Sequence, residues 1–221
     1  MTAPATSSRH LPPILAGAGL GAAGIAVTLL IHAALGRWPV GFDRSIMLGL
    51  RAWIGPGLRE PARDLTALGS GTVLTLVVIA GAGLFVALRH RLTALALVAA
   101  AVSGSWAVDL LKAVTARPRP TLVEHWAVVN NASFPSGHAA SSALIYLTLA
   151  ALAGLLVRGG PARTYMLGVA ILLVGAIGIS RVYLGVHWPS DVLAGWSFGT
   201  LWAVGWWRAT EALRRSLRTR E

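Results

Sequence analysis

Long apolar runs separated by short polar clusters set the pattern of this chain. Six runs, at about 13–35, 71–88, 92–113, 137–157, 164–182 and 190–207, each approach the roughly 20 residues that a helix needs to cross a hydrocarbon core of about 30 Å. They predict an all-α fold, an integral membrane six-helix bundle. The first run exceeds the ~7–15 apolar residues of a secretory signal, and no small-x-small cleavage site follows it, so it reads as a membrane anchor. Between the first two runs, Ile46, Met47, Leu50, Trp53 and Ile54 recur at helical spacing opposite Arg44 and Arg51. That spacing predicts an interfacial amphipathic helix in the first outer loop. Gly17, Gly21 and Gly24 in the first run, and Gly175 and Gly178 in the fifth, are expected where helices approach closely. Three domains of sequence result: a flexible cytoplasmic tail over 1–12, a six-span unit over 13–207 and a basic cytoplasmic tail over 208–221.

Composition supports the membrane reading. Of 221 residues, 55% are hydrophobic and only 12% charged, against about 25% charged in a soluble domain, and the mean hydropathy is +0.67. The formal net charge of +11 resides in loops and at helix ends, without the aromatic–basic interleaving of a nucleic-acid surface, so no nucleic-acid partner is expected. Six spans place both termini on one side. Arg9, Arg89, Arg91, Arg158, Arg163, Arg208, Arg214, Arg215, Arg218 and Arg220 share that side, which the positive-inside rule makes cytoplasmic. The chain has no cysteine, which removes disulfides and thiolate metal sites.

Of the other nine cations, five (Arg37, Arg44, Arg51, Arg59 and Arg63) lie in the 37–70 loop, partly offset by Asp43, Glu60 and Asp64, and four belong to polar clusters at the outer ends of spans. The first, KAVTARPRP (112–120), contains Lys112, the only lysine beside eighteen arginines. Arg119 offers a planar fork suited to phosphate oxygens and Lys112 a point charge. Arg117 is a further phosphate-binding candidate that serves equally as a snorkelling anchor. Asp109, three residues before Lys112, is expected to neutralise or orient it. The second cluster is Pro135-Ser136-Gly137-His138 at the start of the fourth span. Ser136 suits an N-cap, and a helix start also offers backbone N–H groups and a positive dipole end to an anion. His138, in the first turn, is a candidate general acid or a structural histidine. The third cluster is SRVYLGVHWPSD (180–191). With Pro189 in the first turn of the sixth helix, Asp191 can reach back to the preceding residues, accept from His187 Nδ1–H and leave Nε2 as a neutral nucleophile; it can equally cap the helix with His187 idle.

Taken together, the clusters resemble the type-2 phosphatidic acid phosphatases, a superfamily that also includes the vanadium haloperoxidases. Its pattern is K-x6-RP, PSGH, then SR-x5-H-x3-D. Here it is filled by Lys112 to Arg119-Pro120, Pro135 to His138, and Ser180-Arg181, His187 and Asp191. The resemblance covers about residues 70–207 and the N-terminal third only loosely. It implies that His187 forms a phosphohistidine oriented by Asp191, and that His138 protonates the leaving oxygen. It further implies that Lys112, Arg119 and Arg181, with Ser136 and the Gly137 backbone, bind the phosphate, and that no metal or cofactor takes part.

His187 must then be neutral while His138 is protonated at the same pH, which predicts a bell-shaped pH–rate profile. The expected substrate is a lipid phosphate or diphosphate entering from the outer leaflet of the cell membrane. An undecaprenyl-type diphosphate is preferred over phosphatidylglycerol phosphate or phosphatidate. A lipid-linked phosphotransferase would use the same phosphohistidine, and a non-catalytic lipid-binding protein would not need His138, His187 and Asp191 together. A soluble haloperoxidase is disfavoured by the six apolar runs.

Overall fold

The computed structural model describes residues 13–36, 38–157 and 159–219. The expected N-terminal tail, 1–12, lies outside the described residues. Eight helices and no strand occur among the described residues: α1 (Pro13–Ala34), α2 (Asp43–Ile54), α3 (Arg59–Ala67), α4 (Gly71–Ala87), α5 (Arg91–Thr115), α6 (Gly137–Gly154), α7 (Gly160–Tyr183) and α8 (Pro189–Arg218). Each of the six apolar runs falls on a helix, α1 and α4 to α8. By length and composition, however, three helices among the described residues qualify as membrane spans, α5, α6 and α7. A fourth is added if α3 and α4, bent by 43° at a short break, are counted as one. The fold is therefore all-helical with three to four candidate spans. Apolar outward faces match that setting: Leu76, Ile79, Leu95, Trp106, Val114 and Leu172 are all exposed, as side chains facing lipid would be.

Helix α6 is the centre of the bundle, packed chiefly on α8 and then on α7, with α1 against the far side of α8 and α4 against α5. The α6–α8 contact is close because α8 presents Gly195 and Gly199 to it. A Cβ at Gly195 would lie 2.8 Å from Ser136 O, and one at Gly199 2.6 Å from Ala140 O. Of the glycines expected at close approaches, Gly178 fits, since a Cβ there would fall within 2.6 Å of the Trp196 ring. Gly21, Gly24 and Gly175 face open space, with nothing within 4 Å, and the Gly17 environment is not among the described side chains.

Between α1 and α4 the sequence reading needs correction. Helix α2 forms over the expected apolar positions, but its inward face runs through Asp43, Met47, Leu50 and Ile54, while Ile46 and Trp53 are exposed. Arg51, expected on the solvent side, instead lies with its guanidinium 3.4 Å from the Trp126 ring centre and donates to Glu124 O at 2.7 Å. Helix α3 was not expected at all; it packs on α7. At the other end, α8 continues through the basic segment to Arg218, so 208–218 is helical.

Candidate active site

The three polar clusters meet at one end of α5, α6, α7 and α8. Ala116, in the left-handed conformation at φ 43°, ends α5 and turns the chain into a long irregular loop, 116–136. Side chains and backbone satisfy this loop's polar groups: Ser133 N donates to Arg117 O at 2.9 Å, Thr115 Oγ1 to Phe134 O at 2.9 Å and Trp126 N to Leu184 O at 2.9 Å. Lys112, in the last turn of α5, donates from Nζ to Ala132 O at 2.9 Å. Asp109 is exposed, and Lys112 makes no ion pair with it among the described residues.

The start of α6 behaves as a helix N-terminus should. Ser136 is its N-cap, with Oγ accepting from Ala139 N, and Ser136 N donates to Asp191 O at 3.0 Å, which ties the first turn of α6 to that of α8. A Cβ on Gly137 would lie 3.5 Å from Lys112 Cε, so the lysine stem runs beside the helix start. His138 lies in that first turn, half-buried, within electrostatic reach of Arg181, His187, Lys112 and Arg119. The α3–α4 break closes its other side: a Cβ on Gly69 would be 3.4 Å from His138 Cδ2.

Arg181, on the last turn of α7, is buried; Nη1 donates to Thr66 Oγ1 of α3 at 3.2 Å, and Nε has no partner among the described residues. A buried guanidinium with an unanswered N–H fits an anion that completes its coordination. Arg119 is held by Asn131, through Nε to the backbone oxygen at 2.9 Å and Nη2 to Oδ1 at 2.7 Å, which aims Nη1 at Val186 O and at His187 Nε2, 3.2 Å away.

His187 is 2% exposed in the short α7–α8 connection. Its Nδ1 lies 3.4 Å from Asp191 Oδ2, at the long end of the hydrogen-bond range. An arginine has only donors, so the Arg119 contact makes Nε2 the acceptor and leaves the proton on Nδ1, facing Asp191. Burial pushes the imidazole down to about 4; the hydrogen bond and charge of Asp191 oppose this, and Arg119 and Arg181 reinforce it. The ring is therefore neutral at neutral pH. Burial also lowers Arg119, against the pull of Asp191, but leaves a guanidinium charged.

Asp191 also accepts from Trp188 N at 2.9 Å and from Ser133 Oγ, so it caps α8 and faces His187 at once. Its other oxygen binds Arg117. Arg117 is buried, donates to Asp43 Oδ2 at 2.8 Å and to Ser190 Oγ at 2.8 Å, and lies 3.8 Å from the Trp38 ring centre. Of the sequence candidates, Lys112, Arg119, Ser136, Gly137, His138, Arg181, His187 and Asp191 thus converge, whereas Arg117 stands behind Asp191. Sequence reasoning missed Asp43, Thr66, Asn131 and Ser133, none of which lies in a motif. No group of three His, Cys, Asp or Glu that could hold a metal ion occurs among the described residues.

A family model described as the PAP2 superfamily matches residues 92–215. The chain is 36% identical over 155 residues to phosphatidylglycerophosphatase B of Bacillus subtilis, covering 66% of this chain and 72% of that one. It is 31% identical over 150 residues to decaprenylphosphoryl-5-phosphoribose phosphatase of Mycobacterium tuberculosis, covering 65% and 76%. Its fold is similar to the crystal structure of a transmembrane PAP2-type phosphatidylglycerolphosphate phosphatase from Bacillus subtilis. That match has a TM-score of 0.69 and 27% identity, covering 88% of this chain and 96% of the other.

Proposed function

The chain belongs to the PAP2 superfamily and is a membrane-embedded phosphatase of lipid phosphates; from that premise we propose that His187 carries the phosphoryl group. In the first step Nε2 attacks phosphorus, the bond to the leaving oxygen breaks, and His138 gives that oxygen its proton. The product is a phosphohistidine. In the second step water attacks phosphorus, His138 takes the water proton, and inorganic phosphate leaves with Nε2 free again. Asp191 stabilises the positive ring through Nδ1. Lys112, Arg119 and Arg181, with the Ser136 hydroxyl and the Gly137 N–H, offset the charge on the phosphoryl oxygens. Arg117 is assigned to Asp191 rather than to phosphate, because its guanidinium is already divided between two carboxylates.

The observation that carries this reading is the buried His187–Asp191 pair, with Nε2 unprotonated and the cations Arg119 and Arg181 acting on it. The substrate is a lipid phosphate or diphosphate, with an undecaprenyl-type diphosphate, phosphatidylglycerol phosphate and phosphatidate as the compounds to compare. The six apolar helices act as six spans, α2 lies at the interface, and the site opens to the outer leaflet with both termini cytoplasmic. Purified protein is assayed for phosphate release from these lipids in EDTA, beside His187→Ala. Release from at least one lipid by the wild type, and none above background by the variant, is the expected result. Persisting release by His187→Ala would remove the nucleophile assignment.

A further inference from the structure

Asp43 is the first residue of α2, far in sequence from every motif, yet it is 0% exposed. Its carboxylate accepts from Arg117 Nη2 at 2.8 Å, Ser190 Oγ at 2.7 Å, Val40 N at 2.9 Å and Ser190 N at 2.8 Å. Two of these donors belong to the residue just before Asp191, and a third to the arginine that binds Asp191. Asp43 and Asp191 are thus two fully buried carboxylates on either side of one buried guanidinium. Buried charges persist only when paired and hydrogen-bonded, so such an arrangement has little freedom to shift.

We propose that Asp43 is a positioning residue of the catalytic centre. From the first loop it fixes Arg117 and the opening turn of α8, and through them it holds Asp191 on His187 Nδ1. The inference rests on the His187 reading above. The Arg117–Asp43 pair divides the guanidinium between two acids. Without the Asp43 charge, Arg117 closes on Asp191 alone and draws it from an imidazole contact that is already 3.4 Å long. Asp43 touches none of Lys112, Arg119 or Arg181, so losing its charge leaves the phosphate cradle in place. A residue that merely anchored α2 would disturb the cradle and the orienting acid together.

The test is Asp43→Asn, which preserves shape and removes charge. It is assayed with the lipid phosphate best cleaved by the wild type, and with inorganic phosphate as competitive inhibitor. The expected result is a fall in kcat of about 10–100-fold, with KM and the phosphate inhibition constant within about twofold of wild type. A wild-type kcat, or phosphate affinity weakened in step with kcat, overturns the proposal. Should Asp43→Asn fail to fold by thermal unfolding in detergent, Ser190→Ala removes the hydroxyl that links Asp43 to Arg117 at small cost in volume. A kcat lowered about 3–10-fold at unchanged phosphate inhibition supports the proposal, and an unchanged kcat overturns it. His187→Ala separates the two levels. If that variant still releases phosphate the parent reading fails, and if it is inert while Asp43→Asn matches wild type only the present inference fails.

Discussion

His187 owes its chemistry to its surroundings more than to its type. An exposed imidazole titrates near ~6.5, and burial holds this one down to about 4. The consequence for pH has a definite sign. Between those values the unfolded chain binds a proton that the folded chain refuses, so stability from this group is complete above ~6.5 and declines as pH falls toward 4. Activity that needs neutral Nε2 survives through the same window. The acid limb of kcat/KM is therefore expected to have its midpoint near 4; a midpoint at ~6.5, measured in a detergent in which the protein stays folded, would contradict the buried site. Arg119→Lys isolates another property of single residues. Arg119 reaches Asn131 with one side of its fork and His187 with the other. Lysine keeps the charge but has no fork, so kcat/KM should fall about 10–100-fold although the net charge is unchanged. Motif residues were legible because their chemistry is written in residue type and spacing. Asp43 was not, since its partner Arg117 is 74 residues away and nothing local marks an acid at a helix start as buried. Asn131 and Ser133 were hidden for the same reason.

Elements carry a different part of the site. The registry of α6 against α8 brings Ser136 and Asp191 together, and that registry depends on glycine. A Cβ at Gly199 would meet Ala140 O and Ala143 Cβ at 2.6 Å and Leu144 N at 2.7 Å. Two of these are backbone atoms that cannot rotate away. Gly199→Ala is expected to cost about 1–3 kcal/mol, seen as a lower thermal midpoint in detergent. Gly205→Ala, on the same helix with nothing within 4 Å, should leave the midpoint unchanged. Equal shifts would mean that helix contact is not what Gly199 provides. The apolar runs made α4 to α8 legible, and cap chemistry at Ser136 and Pro189 placed two helix starts. Helix α3 escaped because REPARDLTA is short and polar, and its helical form is supported by packing against α7 and by Arg63 donating to Trp126 O at 2.7 Å. Its position has chemical weight, since Thr66 touches Arg181 and the following Gly69 abuts His138.

Orientation is set by the whole molecule. Arg89 and Arg91 at the α4–α5 turn, Arg163 at the start of α7 and the arginines along the end of α8 lie on the side away from the site, the side that the proposed topology makes cytoplasmic by the positive-inside rule. In that proposed topology the site clusters face outward, together with α2, α3 and the 116–136 loop. Helix α8 extends this contrast. At about 1.5 Å per residue a 30-residue helix is roughly 45 Å long, against a hydrocarbon core of about 30 Å, so in the proposed six-span arrangement its arginine-bearing end projects beyond the bilayer. Natural absence of cysteine makes the orientation directly measurable. Val128, in the site-side loop, is 90% exposed, and Ser216, near the end of α8, is exposed on the opposite side. With Val128→Cys, a membrane-impermeant thiol reagent added to intact cells should label the protein. With Ser216→Cys, labelling should require permeabilised cells. The reverse pattern would place the site in the cytoplasm, and the substrate would then have to be presented by the inner leaflet. Labelling of both in intact cells would require an odd number of crossings between residues 128 and 216 to be replaced by an even one, which three helices, α6, α7 and α8, do not allow if each spans once.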